Sequence, residues 1–309
     1  MTEAAVEAAS LHRAEGYQEE LVQLERFLRR WIDRSDAEIK PLLNWQFLGS
    51  SKYFRPVTVF ACRQAMSPES VPETTVRAAV AIEMAHNVSL IIDDILDRSR
   101  HRRGVLTLHC RFGMLPALMA SGYITAEAFE LCRDNGFEIE RLAELFKRLA
   151  LAESLQWRVR REPLGVEDWR YIAGEDTGSM FEACACLGTG DERLRHYGRL
   201  LGTLYHGCDD VGDMRGAVAL GGGGDQDLRD GILTLPAAIA IRDPRVATYF
   251  RNPSREAMEI LLAKVSAALP AAEEYLDKIA AEAIAEANRV APNPEPLVSL
   301  VTNTRQLSA

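Results

Sequence analysis

Apolar residues recur with a helical period along almost the whole chain. Between Tyr17 and Trp31 the residues Leu21, Leu24, Phe27, Leu28 and Trp31 fall at spacings of three and four, which lines one face of an α-helix. Ala257 to Val290 repeats the pattern in a stretch rich in Ala, Leu and Glu, and no segment sustains the alternation of a half-buried strand. Turn signals are short: Met66-Ser67-Pro68-Glu69, Arg161-Glu162-Pro163-Leu164-Gly165, the glycines at 221–224, Asp243-Pro244, Asn252-Pro253 and Pro292-Asn293-Pro294. None is long enough to act as a flexible linker, and no repeat of fixed period is present. The pattern predicts one all-α domain over residues 1–309.

Composition narrows the partners. The 309 residues carry 45 acidic groups against 36 Lys and Arg, a formal charge of -9. That balance, with no basic block, gives no footprint for nucleic acid and would be repelled by anionic lipid. No run reaches the roughly 18 to 20 apolar residues of a membrane span. Met1 to Ser10 is acidic and Ala-rich where a signal peptide would be basic and then apolar, so the expected location is cytoplasmic. The six cysteines lie in apolar segments, and the close pair Cys184-Ala185-Cys186 lacks the spacing of a zinc or redox motif. Buried thiols are expected.

One acidic motif occurs twice: Asp93-Asp94-Ile95-Leu96-Asp97 and Asp209-Asp210-Val211-Gly212-Asp213. With 17 Asp in the chain, chance gives about (17/309)³ × 305, or about 0.05 occurrences, so two are not an accident of composition. On a helix the first and last carboxylates of each triplet share a face about 6 Å apart along the axis. A solvated acidic face would explain one triplet. The flanks argue otherwise, because Val88, Leu90, Ile91 and Ile92 lead into the first, and Leu200, Leu201 and Leu204 into the second. Hard carboxylate oxygens emerging from buried helices suit Mg²⁺, which keeps several waters and is commonly shared with phosphate. Basic residues stand nearby: Arg98, Arg100, Arg102 and Arg103 after the first triplet, and Lys52 and Arg55 upstream. Arg presents a planar fork to phosphate oxygens and Lys a point charge, so these groups either hold a diphosphate or pair with the aspartates. His86 lies two helical turns before Asp93 on the same face.

In this arrangement the chain resembles the trans-isoprenyl diphosphate synthase, or polyprenyl synthetase, family. The landmarks run in order from Gly49 to Pro236: Ser51-Lys52-Tyr53-Phe54-Arg55-Pro56, the helix from Glu83 to Asp97, Arg102-Arg103-Gly104 with Thr107 and His109, Tyr171 to Phe181, Asp209 to Asp213, and Asp227-Leu228 to Thr234-Leu235-Pro236. The resemblance implies an all-α bundle of antiparallel helices around a deep apolar cavity, the isoprenoid synthase type I fold, usually as a homodimer. It implies that Asp93, Asp94, Asp97, Asp209, Asp210 and Asp213 bind Mg²⁺ ions carrying an allylic diphosphate. It also implies that Lys52, Arg55, His86 and Arg103 receive isopentenyl diphosphate and Arg102 the allylic diphosphate.

The chain departs from the family opposite that intact pocket. Asp176 precedes Thr177 where the family has a lysine, Ile232 follows Gly231 where it has another, and His206 stands where a glutamine is usual. Ser50, Ser51 and Tyr53 also replace residues of the first motif. Exchanging Lys for Asp moves the local charge by two units, each worth roughly 3 kcal/mol at about 6 Å and an effective dielectric of about 20. Two reactions stay open: condensation with isopentenyl diphosphate, favoured by the surviving pocket, and cyclisation of a long allylic diphosphate such as geranylgeranyl diphosphate, favoured by the losses. A silent partner subunit would have no need of six aspartates. In the family a bulky aromatic four or five residues before the first motif halts growth early. Here Ser89 and Val88 fill those positions, which points to a C20 product or substrate.

Overall fold

The computed structural model describes residues 16–47, 53–67, 69–102, 104–216 and 226–308. In chain order the helices are α1 (Gln18–Arg34), α2 (Lys40–Phe47), α3 (Phe54–Met66) and α4 (Glu73–Leu96). A two-residue hairpin follows, β1 (His101–Arg102) antiparallel to β2 (Val105–Leu106), with His101 opposite Leu106. Then come α5 (Leu108–Phe112), α6 (Met114–Leu131), α7 (Gly136–Arg158), α8 (Val166–Glu175), α9 (Thr177–Thr189) and α10 (Arg195–Met214). The C-terminal part holds α11 (Gln226–Asp230), α12 (Leu235–Ala240), α13 (Pro244–Arg251), α14 (Arg255–Ala267), α15 (Leu269–Val290), α16 (Glu295–Arg305) and a short 3₁₀ turn, Gln306–Ser308. Among the described residues no helix is long and apolar enough to cross a membrane.

The helices group into two compact units, Met1–Phe146 with Ala183–Leu194, and Lys147–Glu182 with Arg195–Ala309. In the first unit α4 is the central element and packs on α1, α3 and α6. Its buried alanines Ala78, Ala79, Ala81 and Ala85, together with Ala117, Ala120 and Ala128 of α6, are the small residues that let helices approach closely. Val76, Val80, Ile82, Met84, Val88 and Ile91 are its larger buried apolar residues. α4 stops at the first aspartate triplet for a local reason. Arg98 takes a left-handed conformation (φ 54) and the Ser99 N–H returns to the Asp94 carbonyl at 2.9 Å, the bonding that closes a helix C-terminus.

In the second unit α10 is central, packed on α8, α15 and α16. Two of its glycines meet the 177–182 segment without intervening side chains. A Cβ at Gly198 would fall 2.4 Å from the Phe181 carbonyl oxygen, and one at Gly202 would fall 2.7 Å from both Gly178 Cα and the Thr177 carbonyl oxygen. The break between α8 and α9 falls at Asp176 (ψ -98). Half-buried ion pairs, gathered on the buried Glu182 and on Glu175, brace both sides of it. Arg148 reaches Glu175 at 2.9 Å and Glu182 at 2.6 Å, Arg199 reaches each at 2.9 Å, and Arg195 reaches Glu182 at 3.0 Å.

Three details differ from the sequence pattern. The stretch from Ala257 to Val290 is two helices, because Pro270 in the first turn of α15 cannot continue α14. The hairpin at 101–106 is too short to leave an alternating pattern. Cys110 is exposed, whereas the other five cysteines are buried. Asp243 and Ser254 cap α13 and α14 by accepting from the Arg245 and Ala257 N–H groups, as their turn signals suggest. The glycine run at 221–224 lies outside the described residues.

Candidate active site

The first triplet closes α4. Asp94 is buried, and its Oδ1 accepts from Arg102 Nε at 2.9 Å. Asp93 is half-buried and Asp97 exposed, so the outer two carboxylates are the more accessible. The hairpin that delivers Arg102 is pinned from α2, where the Trp45 indole donates to the Leu106 carbonyl at 2.9 Å and the Arg111 guanidinium lies 5.2 Å from the Trp45 ring centre. Burial raises the Asp94 carboxyl above its ordinary value, against the opposing pull of Arg102.

Below this end of α4 a cavity of about 110 Å³ is lined by Gln46, Glu83, His86, Asn87, Asp94 and Arg102 among others. His86 Nε2 lies 3.1 Å from Arg55 Nη1. Gln46 donates to Asn87 at 3.0 Å, and Asn87 donates to the Glu83 carbonyl at 2.8 Å and carboxylate at 3.2 Å. The structure therefore brings His86, Arg55, Asp94 and Arg102 into one neighbourhood of the first unit. Lys52 and Arg103 lie outside the described residues.

The second triplet ends α10 and is held differently. Asp210 is buried, and its Oδ2 accepts from the Trp169 indole and from the Leu235 N–H, both at 2.8 Å. His206, one turn earlier, places Nε2 3.9 Å from Asp210 Oδ1 and Nδ1 3.4 Å from Asp176 Oδ2. Asp209 and Asp213 are half-buried. Burial, reinforced by Asp213 and Asp210, pushes the Asp209 carboxyl up to about 7. Burial lifts Asp210 to about 6, opposed by His206, the Leu235 N–H and Trp169. Burial alone would lower His206, but Asp210, Asp176 and Asp209 outweigh it and raise the imidazole to about 9.

The donor set fits a hard divalent cation. Carboxylates forced together at a partly buried wall, with raised affinity for protons, are groups that such an ion would relieve. Among the described residues no three carboxylate, imidazole or thiol side chains form a cage by themselves. An ion here would draw part of its shell from water and substrate oxygens, as Mg²⁺ commonly does.

A model of the polyprenyl synthetase family matches residues 37–265. The chain belongs to that family. It is 28% identical over 262 residues to geranylgeranyl pyrophosphate synthase 4 of Arabidopsis thaliana, covering 76% of this chain and 69% of that protein. To the nonaprenyl diphosphate synthase of Mycobacterium tuberculosis it is 27% identical over 286 residues, 85% of this chain and 84% of the other. The polyprenyl synthase of Caulobacter crescentus CB15, solved with calcium and isoprenyl diphosphate, superposes with a TM-score of 0.83 at 26% identity, over 98% of this chain and 97% of that one. This polyprenyl synthetase is thus a prenyltransferase on the all-α isoprenoid synthase type I fold.

Sequence reading missed the polar groups that hold the second triplet, whereas Arg102 on the first was among the arginines expected either to hold a diphosphate or to pair with the aspartates. Trp169 and the Leu235 N–H sit 41 and 25 residues from Asp210, and no local pattern connects them. Asp227, whose charge also raises Asp209 and Asp210, was legible only as part of a landmark. Glu83 and Asn87 carried a usable signal, a polar pair four apart within an apolar run.

Proposed function

We propose that this polyprenyl synthetase ionises an allylic isoprenoid diphosphate and joins the resulting carbocation to isopentenyl diphosphate, giving a C20 prenyl diphosphate with Mg²⁺ at the two triplets. The observation that carries the reading is shared by both triplets. In each, the middle carboxylate is buried on protein donors while the outer two are more accessible. On this reading Asp93, Asp97, Asp209 and Asp213 face the metal, and Asp94 and Asp210 fix the helix ends that present them.

When bound, the metal ions would supply positive charge to the departing diphosphate. The allylic C–O bond breaks with its electron pair going to that group. The double bond of isopentenyl diphosphate then forms the new C–C bond, and loss of a proton restores a double bond. Arg55 beside His86, with Lys52 and Arg103, binds the isopentenyl diphosphate, and Arg102 serves the allylic diphosphate from its place on Asp94. Val88, five residues before Asp93, is buried and carries no aromatic ring that would stop chain growth early. That supports a product longer than C15.

We further propose a homodimer. The outer face of α6 exposes Met114 (52%), Leu115 (67%), Leu118 (43%) and Met119 (59%), an apolar stripe of the kind that associating helices cover. Leu115→Glu should shift the sedimentation of a dimer to that of a monomer, and unchanged sedimentation would remove the stripe from the interface.

Incubation with Mg²⁺ and dimethylallyl, geranyl, farnesyl or geranylgeranyl diphosphate, each with and without isopentenyl diphosphate, tests the reaction. The expected result is a longer prenyl alcohol after phosphatase treatment, formed only when isopentenyl diphosphate is present. A hydrocarbon or cyclic alcohol formed without it would replace condensation by cyclisation.

A further inference from the structure

Asp176 and His206 come from separate segments of the second unit and meet beside the second triplet. Asp176 sits at the break between α8 and α9, where its N–H bonds to the Ile172 carbonyl at 2.9 Å and its own carbonyl accepts from the Ser179 hydroxyl at 2.8 Å. Its backbone is therefore fixed. The Thr177 hydroxyl lies 3.2 Å from Asp176 Oδ2 as donor, and His206 Nδ1 lies 3.0 Å from the same hydroxyl oxygen. A hydroxyl has one proton to give. Once it points at Asp176, Nδ1–H is left to donate, with the Thr177 oxygen at 3.0 Å as its nearer acceptor and Asp176 Oδ2 at 3.4 Å as the farther one, which fixes the orientation of the ring. The opposite nitrogen then faces Asp210 Oδ1 at 3.9 Å, and the Trp169 ring stands edge-on at 6.2 Å between centres. Asp210 is thereby bounded on one oxygen by Trp169 and Leu235 and on the other by His206.

We propose that Asp176 and His206 form one positioning unit: Asp176 and Thr177 orient the imidazole, and the imidazole holds Asp210 and with it the carboxylates beside it. Neither residue does this without the other. Asp176 needs His206 because two carboxylates otherwise face each other across the ring's place. His206 needs Asp176 because an unheld imidazole turns away from Asp210. The inference rests on the metal and diphosphate reading of the second triplet.

The test measures binding of Mg²⁺ with inorganic pyrophosphate by calorimetry to the full chain, to Asp176→Asn, to His206→Asn and to the double variant. Melting temperatures without metal are recorded in parallel. We expect each single variant to weaken metal-dependent pyrophosphate binding about tenfold and the double variant to be no worse than either, whereas independent residues would give about a hundredfold. Steady-state kinetics should show a raised Mg²⁺ requirement with kcat largely restored at saturating Mg²⁺, a split that general loss of structure does not produce. His206→Gln, which keeps a donor near Asp210, should recover part of the loss. Additive effects would overturn the pairing. Loss confined to Asp176→Asn, with His206→Asn unaffected, would overturn it in favour of Asp176 as a further metal ligand. If the asparagine variants melt before binding can be read, Thr177→Val tests the same chain, since removing the hydroxyl should reproduce the tenfold loss and normal binding would refute the orientation step. Absence of metal-dependent binding in the unaltered chain would instead count against the metal reading itself.

Discussion

The two aspartate triplets have the same spacing and are supported by different physics. At the end of α4 the middle carboxylate is met by a guanidinium whose side chain is 39% exposed, carried on a two-residue hairpin. At the end of α10 the middle carboxylate is met by neutral dipoles, the Trp169 indole and a backbone N–H, with an imidazole on the far oxygen. A cation on a surface hairpin can turn to solvent or to an incoming diphosphate. An indole in the core cannot. The first triplet is therefore built to exchange partners and the second to stay as it is, although the sequence writes them alike.

The comparison is tested most severely at the outer carboxylates. Asp93→Ala and Asp209→Ala should each lower kcat/KM by about 10³ or more, about 4 kcal/mol of transition-state stabilisation. Near-normal turnover by either would remove that triplet from the chemistry. Stability should then separate the middle residues. Asp210→Ala leaves two buried donors without an acceptor and should cost about 2 to 5 kcal/mol, whereas Asp94→Ala releases a half-exposed arginine to water and should cost about 1 kcal/mol. Urea unfolding of the metal-free variants gives the order, and the reverse order would break the contrast.

The third test is pH. Asp209 and Asp210 bind protons more tightly when folded, at about 7 and about 6 against an ordinary value near 3.8. Their contribution to stability is complete below about pH 4 and is lost as pH rises through 6 to 7. Asp209→Asn should flatten this part of the stability profile relative to the unaltered chain. Because a metal must displace those protons, Mg²⁺ affinity in the presence of inorganic pyrophosphate should climb up to about tenfold per unit below pH 7 and then level off. A flat affinity between about pH 5.5 and 7.5 would show that the carboxylates are already ionised. The smallest expected effect concerns product rather than rate. Val88→Phe on α4 should shorten the prenyl chain, and an unchanged product spectrum would move the length gauge elsewhere.

Helical periodicity and the doubled Asp-Asp-x-x-Asp spacing made the all-α class and the two carboxylate clusters legible, because both are local properties of the chain. Periodicity failed where two helices abut through Leu269-Pro270, since the apolar repeat carries on while the backbone N–H does not. The supports were out of reach for another reason. Trp169 and the Leu235 N–H act through single hydrogen bonds set by packing, and each would read equally well as ordinary core, whereas Arg102 stood close enough in sequence to the first triplet to be read as a partner of its aspartates. The replacements at 176 and 206 showed as separate departures from a family pattern. Only their meeting in space shows one as the counterpart of the other.

Gly198, Gly202, His206 and Asp210 stand four apart on a single stripe of α10, and the first two have no room for even a methyl group. That stripe has no steric slack at its two glycines. Any growth along this edge of α10 would lift the helix off the 177–182 segment and part His206 from Asp176. A library built to diversify products should therefore leave this edge of α10 untouched.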